Sequence, residues 1–232
     1  MGRSRPVARK AASDPHRHDP LTMTPQNDPL ATVSWVAAAD NPFGVELLNC
    51  CEYSQSMLAL SANPAVAESF VLLRNSDGAQ HRGKTPERAV TLECTPQYPH
   101  MGAPKDGPLF KAETMEDKWD IYLYEGELYF ARSWTGSLEY CAAIETTDAA
   151  AKLVAITARQ EVLGEGDAYP IAVVDFLIRS HVYRQTVPHP LVKALGRDTR
   201  KLGLFSFVHY GRHGLYGTFA DTTKLQGQPS TA

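Results

Sequence analysis

The sequence lacks any apolar run near the roughly 20 residues that a helix needs to cross a bilayer. It also lacks a surplus of either charge, since 23 Lys and Arg stand against 26 Asp and Glu for a net charge of −3 at pH 7. The first absence argues against a membrane partner. The second removes the overall positive field that gathers proteins onto polyanions, so nucleic acid is disfavoured. Cysteine is scarce: Cys50, Cys51, Cys94 and Cys141 include a neighbouring pair that rarely bridges, and none has the C-x-x-C spacing of zinc or thiol-exchange sites. They read as free thiols in a reducing cytoplasm. Also missing are the G-x-S-x-G elbow, the Walker A loop, the Rossmann G-x-G-x-x-G and the H-E-x-x-H zinc motif. P-loop hydrolysis, dehydrogenase chemistry and zinc proteolysis are therefore disfavoured, and neither cofactor nor metal is implied. Arg3, Arg5, Arg9 and Lys10 precede Ala-Ala-Ser-Asp-Pro rather than an apolar segment, which is unlike a secretory signal. The expected location is the cytoplasm.

What is present is an ordinary globular balance, 43% hydrophobic and 21% charged residues. Residues 1–29 have almost no large apolar side chains and read as a disordered tail. Globular patterning begins near Thr32, so the start falls at Met1 or Met23. Residues 30–222 read as a single α+β domain and 223–232 as a flexible C-terminus. Val33–Val36 and Val45–Cys50 look extended. Asn63-Pro64 supplies an N-cap and a first-turn proline for a helix running to Asn75. A polar loop covers 76–88, a strand follows at Ala89–Cys94, and Pro96–Pro108 reads as a long irregular connection. Lys152–Val162 alternates like a strand, Ile171–Tyr183 is apolar nearly all round like a buried helix, and Leu191–Leu195 suggests a short helix. Leu202–Tyr210 reads as a further strand.

The firmest pattern is an antiparallel meander over 119–144, flanked by further strands and packed by two or three helices. Glu125-Gly126 between two runs of strand formers predicts a two-residue hairpin loop pairing Tyr124 with Glu127, Ile121 with Phe130 and Trp119 with Arg132. One face then collects Trp119, Ile121, Leu123, Leu128 and Phe130. The other carries Lys118, Asp120, Tyr122, Tyr124, Glu127 and Tyr129, a Tyr-rich polar surface. A three-residue loop, Trp134-Thr135-Gly136, continues the apolar face through Leu138, Tyr140, Ala142 and Ile144 and gives Gly136 the left-handed position.

Arg132 is the anomaly, a permanent charge at the open end of the apolar face. It either pairs with Asp117 or Glu116 while stacked on Trp119 or Trp134, or forms an anion site with the Ser133 and Thr135 hydroxyls. The stretch from Met115-Glu116-Asp117-Lys118-Trp119 through Leu128-Tyr129-Phe130-Ala131-Arg132-Ser133-Trp134-Thr135-Gly136 resembles a signature of uncharacterised bacterial proteins, D-K-W-x-x-Y followed by L-Y-F-x-R-S-W-T-G. The resemblance implies a bacterial source and points to this motif without implying an activity.

His209 and His213 have the i, i+4 spacing of a helical metal pair, but Gly211 lies between them and no acid accompanies them. Tyr210, Arg212 and His213, among Gly211, Gly214 and Gly217, suit a loop that admits an anion close to the backbone. His181 is the best-placed general acid or base if its helix faces Arg132. The leading reading is a non-enzymatic binding or regulatory module. It would use Arg132, Ser133, Trp134, Thr135 and Trp119, together with the Tyr-rich face, to meet a protein partner or a small anionic ligand. The alternative is a metal-independent hydrolase or transferase acting on a phosphorylated or carboxylated small molecule, with Arg132, Tyr210 and Arg212 at the substrate and His181 as acid or base.

Overall fold

The structure, a computed structural model, describes residues 28–99, 102 and 104–229. The expected disordered tail lies outside the described residues except at its end, where Pro29–Thr32 forms a 3-10 turn capped by Asp28. The elements in order are β1 (Ser34–Val36), β2 (Leu47–Asn49), α1 (Cys51–Ser56), α2 (Pro64–Arg74), β3 (Ala89–Glu93), β4 (Gln97–Pro99), β5 (Gly107–Phe110), β6 (Trp119–Tyr124), β7 (Glu127–Arg132), β8 (Leu138–Thr146) and β9 (Ala150–Arg159). They continue with α3 (Ala168–Leu177), which runs into a π turn at Ile178–Val182. Then come β10 (Gln185–Thr186), β11 (His189–Pro190), α4 (Thr199–Tyr210), β12 (Tyr216–Thr218) and β13 (Gln228–Pro229). The fold is α+β.

A seven-stranded antiparallel sheet dominates, in the order β3-β9-β8-β7-β6-β5, with β4 also beside β9. The hairpin register follows the apolar pattern: Tyr124 pairs with Glu127, Ile121 with Phe130 and Trp119 with Arg132. Glu125 and Gly126 have φ of 53° and 79°, as a primed two-residue turn requires. The second turn closes through Gly136 N–H donating to the Arg132 carbonyl at 2.8 Å, with Gly136 at φ 67°. Tyr140 and Ala142 then face the core opposite Phe130 and Leu128. A register shift between Phe130 and Ala131 sets Leu138 opposite Ala131. Leu138 therefore packs on the opposite face, beside Tyr122 and Tyr129, where the simple alternation had placed it in the core.

Trp119, Ile121, Leu123, Leu128 and Phe130 are all at most 6% exposed, packed against Val173, Val174, Phe176 and Leu177 of α3. At about 1.5–3 kcal/mol for each buried side chain, a one-residue slip that turned them outward is prohibitive. The tyrosine face is a correction. It is not a surface, because Tyr122, Tyr124 and Tyr129 are 1%, 7% and 2% exposed. The loop between α2 and β3 covers it. The Tyr124 hydroxyl donates to the Asp77 carbonyl, Gly83 N–H donates to the Tyr129 hydroxyl, and His81 lies 5.7 Å from the Tyr122 ring.

The expected strand at Leu202–Tyr210 is instead α4. Asp198 caps it by accepting from the Arg200 and Lys201 amides, and its buried residues Leu202, Gly203, Ser206, Phe207 and Tyr210 recur at helical spacing. This helix and α1 pack with a smaller sheet, β1-β2-β12-β11, around Leu48, Tyr53, Leu202 and Phe207. Part of the expected loose C-terminus is engaged, with β13 pairing to β10 and Arg179 donating to the Leu225 carbonyl at 2.6 Å. The four cysteines are free thiols. Among the described residues no helix is long and apolar enough to cross a membrane.

Candidate functional site

A polar cleft of about 640 Å³ lies between the start of the meander, the segment after the π turn and the loop after α4. Its lining includes Asp117, Arg184, Thr186, Arg212 and His213. Asp117 anchors it. One carboxylate oxygen accepts from the Glu113 and Thr114 amides at 3.1 and 3.3 Å, while the other lies 3.3 Å from Arg212 Nε and 3.5 Å from His213 Nε2. Burial alone would raise this carboxyl, but the His213 hydrogen bond, the Arg212 charge and the Glu113 amide together hold it below its usual value. Asp117 therefore stays an anion, and it orients one cation and one imidazole toward the same space.

Two guanidiniums reach the cleft by different routes. Arg212 follows the sharp exit from α4 at Gly211, whose φ is 59°. It touches Asp117, Glu116 and the Thr114 hydroxyl but stays 41% exposed. Arg184 follows the π turn, a local under-winding that closes with Tyr183 N–H donating to the Ile178 carbonyl at 3.1 Å. Its φ of 54° is uncommon for a side chain with a Cβ. The guanidinium lies 5.3 Å over the Phe110 ring and has no carboxylate partner among the described residues. Lys111 also lines the cleft, but its ammonium is spent on the Leu73 carbonyl, Asp120 and the Tyr122 hydroxyl.

His181 is 0% exposed and does not reach this space. Ser180 Oγ donates to the Phe176 carbonyl at 2.6 Å, so its contact with His181 Nδ1 at 2.8 Å is one in which the imidazole donates. That leaves His181 Nε2 a bare lone pair, buried without a partner among the described residues. Burial first, then the neighbouring His213 and Arg184, push its pKa well below the ordinary value. His181, expected as a general acid or base, is thus buried behind the cleft, and the imidazole that lines it is His213.

The other expected site residues go elsewhere. Arg132 stacks on Trp119 at 4.7 Å, as expected, but pairs with neither Asp117 nor Glu116. Its fork donates to the Val208 and His209 carbonyls at 2.8 and 3.0 Å, the last turn of α4, where a cation meets the helix dipole favourably. Trp119 Nε1 donates to the same His209 carbonyl at 2.7 Å. Ser133 is buried, its hydroxyl donating to the Asp117 carbonyl at 2.6 Å, and the Trp134 indole donates to the Met115 carbonyl at 2.8 Å. Thr135 caps its own turn, accepting from Ser137 N–H at 3.3 Å. Trp119, Arg132 and Tyr210 do converge, with His209 and Tyr140, on a second, aromatic cleft of about 710 Å³. Arg212 and His213 lie on the first. His209 and His213 therefore sit on different clefts, separated by the turn at Gly211.

Arg184 was missed by sequence reasoning, and nothing local marks it, because its placement depends on the π turn. Sequence patterning offers His213 both as half of a metal pair and as part of the anion-admitting loop with Tyr210 and Arg212. Its true partner, Asp117, lies in the motif that the reading had singled out.

Comparisons with protein-family models, with curated proteins and with solved structures find no match.

Proposed function

We propose that this chain is a binding protein whose ligand is a small anion, phosphorylated or carboxylated, held in the cleft of Asp117, Arg184, Arg212 and His213. The observation that carries this reading is Arg184. It is an exposed guanidinium held in a left-handed backbone conformation over an aromatic ring, with no carboxylate partner among the described residues. Backbone strain of this kind costs about 1–3 kcal/mol and clusters where function needs it. Beside it Arg212 presents a second planar fork, and planar forks suit the paired oxygens of carboxylate and phosphate. The Tyr-rich face has no part in this reading, because it is covered.

The test is a thermal-shift and calorimetric titration with inorganic phosphate, phosphorylated sugars and di- and tricarboxylates on wild type and Arg184→Gln. A ligand stabilises the protein according to its concentration over its dissociation constant. A rise in Tm that disappears in Arg184→Gln supports the anion cleft. An undiminished rise in the variant, or no rise with any of these anions at millimolar concentration, overturns it.

A second reading, a hydrolase or transferase acting on such an anion, is favoured by one observation: the buried carboxylate of Asp117 lies 3.5 Å from His213 Nε2, the arrangement that orients an imidazole for proton transfer. Under this reading His213 is the acid–base group, Asp117 orients it, and the two arginines hold the substrate. His213→Asn then retains ligand binding and loses turnover of phosphate and carboxylate esters. A wild type that binds these esters and leaves them intact removes this reading.

A further inference from the structure

Six large hydrophobic side chains are exposed among the described residues, and four of them, Leu58, Leu60, Leu204 and Val208, line one shallow groove. Leu58 and Leu60 are 72% and 85% exposed on the segment after α1. Leu204 and Val208 are about half exposed and lie one turn apart on α4. Trp134 forms part of the wall, its indole N–H turned inward to Met115. Single exposed apolar residues are ordinary, whereas a clustered set bounded by an aromatic ring marks a contact surface.

The charge beneath the groove points to what covers it. The only charged side chains lining it are Lys118 and Arg132, both cations. They are neighbours at the end of the β6–β7 ladder, and neither has a carboxylate within ion-pair distance among the described residues. Lys118 is 5% exposed, its ammonium lying 4.2 Å from the Trp134 ring and 4.9 Å from the Phe207 ring. One of its three N–H groups is used on the Met115 carbonyl, and two of the five on Arg132 go to α4. Burial, and next the Arg132 charge, bring the Lys118 pKa down to about 8. Two like charges under apolar walls, with donors to spare, are a cost that an incoming carboxylate relieves.

We propose that this groove docks a segment of a partner protein that carries large aliphatic side chains and a carboxylate, the aliphatics between Leu60 and α4 and the carboxylate over Lys118 and Arg132. A second copy of this chain is a poor occupant, because a two-fold contact through the groove sets these cations against their own equivalents. The anion cleft shares neither Lys118 nor Arg132, so this site stands whether or not that reading does.

The test is selection of a phage-displayed random dodecapeptide library on the full chain, with counter-selection on Leu60→Asp. Leu60 is nearly all solvent-facing, so the variant keeps the wild-type Tm. Enriched peptides are expected to carry at least two large aliphatic residues and an Asp or Glu. In fluorescence anisotropy the best of them should weaken at least tenfold on Leu60→Asp, and at least tenfold when its acid becomes the amide. Three results overturn the proposal: no enrichment that depends on Leu60, binding indifferent to the acid, or a wild-type dimer in sedimentation velocity that Leu60→Asp dissociates, which assigns the groove to a second copy.

Discussion

The imidazoles of His181 and His213 lie stacked with ring centres 4.0 Å apart and planes 27° from parallel, and the Phe110 ring meets both edge-on. The buried partner, His181, is held neutral by its depressed pKa. His189 and His209 are also buried neutral. Burial pulls His189 down to about 3, and burial together with Arg132 pulls His209 down to about 4.

Each of these three histidines has a folded pKa below the unfolded value of 6.5, so the unfolded chain takes up protons first. Their contribution to stability is complete above pH 6.5 and is lost as pH falls below it. The slope is about 1.4 kcal/mol per pH unit for each histidine. Between pH 6.5 and 4.5 the carboxylates with lowered pKa, such as Asp117 and Glu116, add less to the slope, because ordinary values of 3.8 and 4.5 leave them at most half protonated even in the unfolded chain. Urea unfolding across this window should show stability falling steadily. His189→Leu should lower the slope by about 1.4 kcal/mol per pH unit whatever it does to absolute stability. An unchanged slope in that variant refutes the assignment.

Arg132 ties the sheet to α4 through two adjacent carbonyls and a stack on Trp119. Arg132→Ala should destabilise the fold by about 2–4 kcal/mol in urea unfolding, from two charge-assisted hydrogen bonds and lost packing. Arg132→Lys should recover little, since an ammonium cannot reproduce a planar fork that reaches two carbonyls while lying on an indole. Full recovery by lysine would show that charge alone matters.

The part of this fold that was legible in the sequence is the part written in side-chain periodicity. Period-two alternation on either side of Glu125-Gly126 determines the β6–β7 register, and Asn63-Pro64 marks the start of α2. What escaped is written in backbone groups and distant contacts. Alternation assigns Tyr122, Tyr124 and Tyr129 to one face but is silent on whether the Asp77 carbonyl and the Gly83 amide come to cover it. Arg132 announces an unmet need for acceptors, and its acceptors are carbonyls of a helix whose aromatic and β-branched residues, Phe205, Phe207 and Val208, imitate a strand. The Asp198 cap was the available counter-signal. In the cleft, Asp117 lay in the motif, whereas Arg184 depends on a π turn that no pattern marks.

Lys111 donates to three acceptors and neutralises Asp120, which is 2% exposed. Lys111→Met should cost about 3–5 kcal/mol, because it strands a buried carboxylate without its cation. Adding Asp120→Asn to that variant should return part of the loss, a coupling that a double-mutant cycle in urea measures directly. Additive losses would mean that Asp120 is held by the Ala112 amide and the Tyr122 hydroxyl without help from the charge.

Gly211 ends α4 and sets the course of Arg212 and His213. Its φ is 59°, and a Cβ placed there would lie 1.7 Å from the Glu116 carbonyl oxygen, far inside contact distance. Neither atom can yield cheaply. The Glu116 carbonyl already accepts the Arg212 N–H at 3.2 Å, and the residue that follows it is Asp117, the anchor of the cleft. Gly44 has nearly the same backbone angle, 67°, with nothing within 4 Å of its missing Cβ. Gly44→Ala therefore isolates the cost of the left-handed conformation, about 1 kcal/mol. Gly211→Ala adds a backbone collision and should cost more than about 3 kcal/mol. Because the displaced segment carries Arg212 and His213, any Gly211→Ala protein that still folds should also lose the anion response. Equal, mild losses at both positions in urea unfolding would show that the α4 exit has room to move, and that the cleft is not held in place from that side.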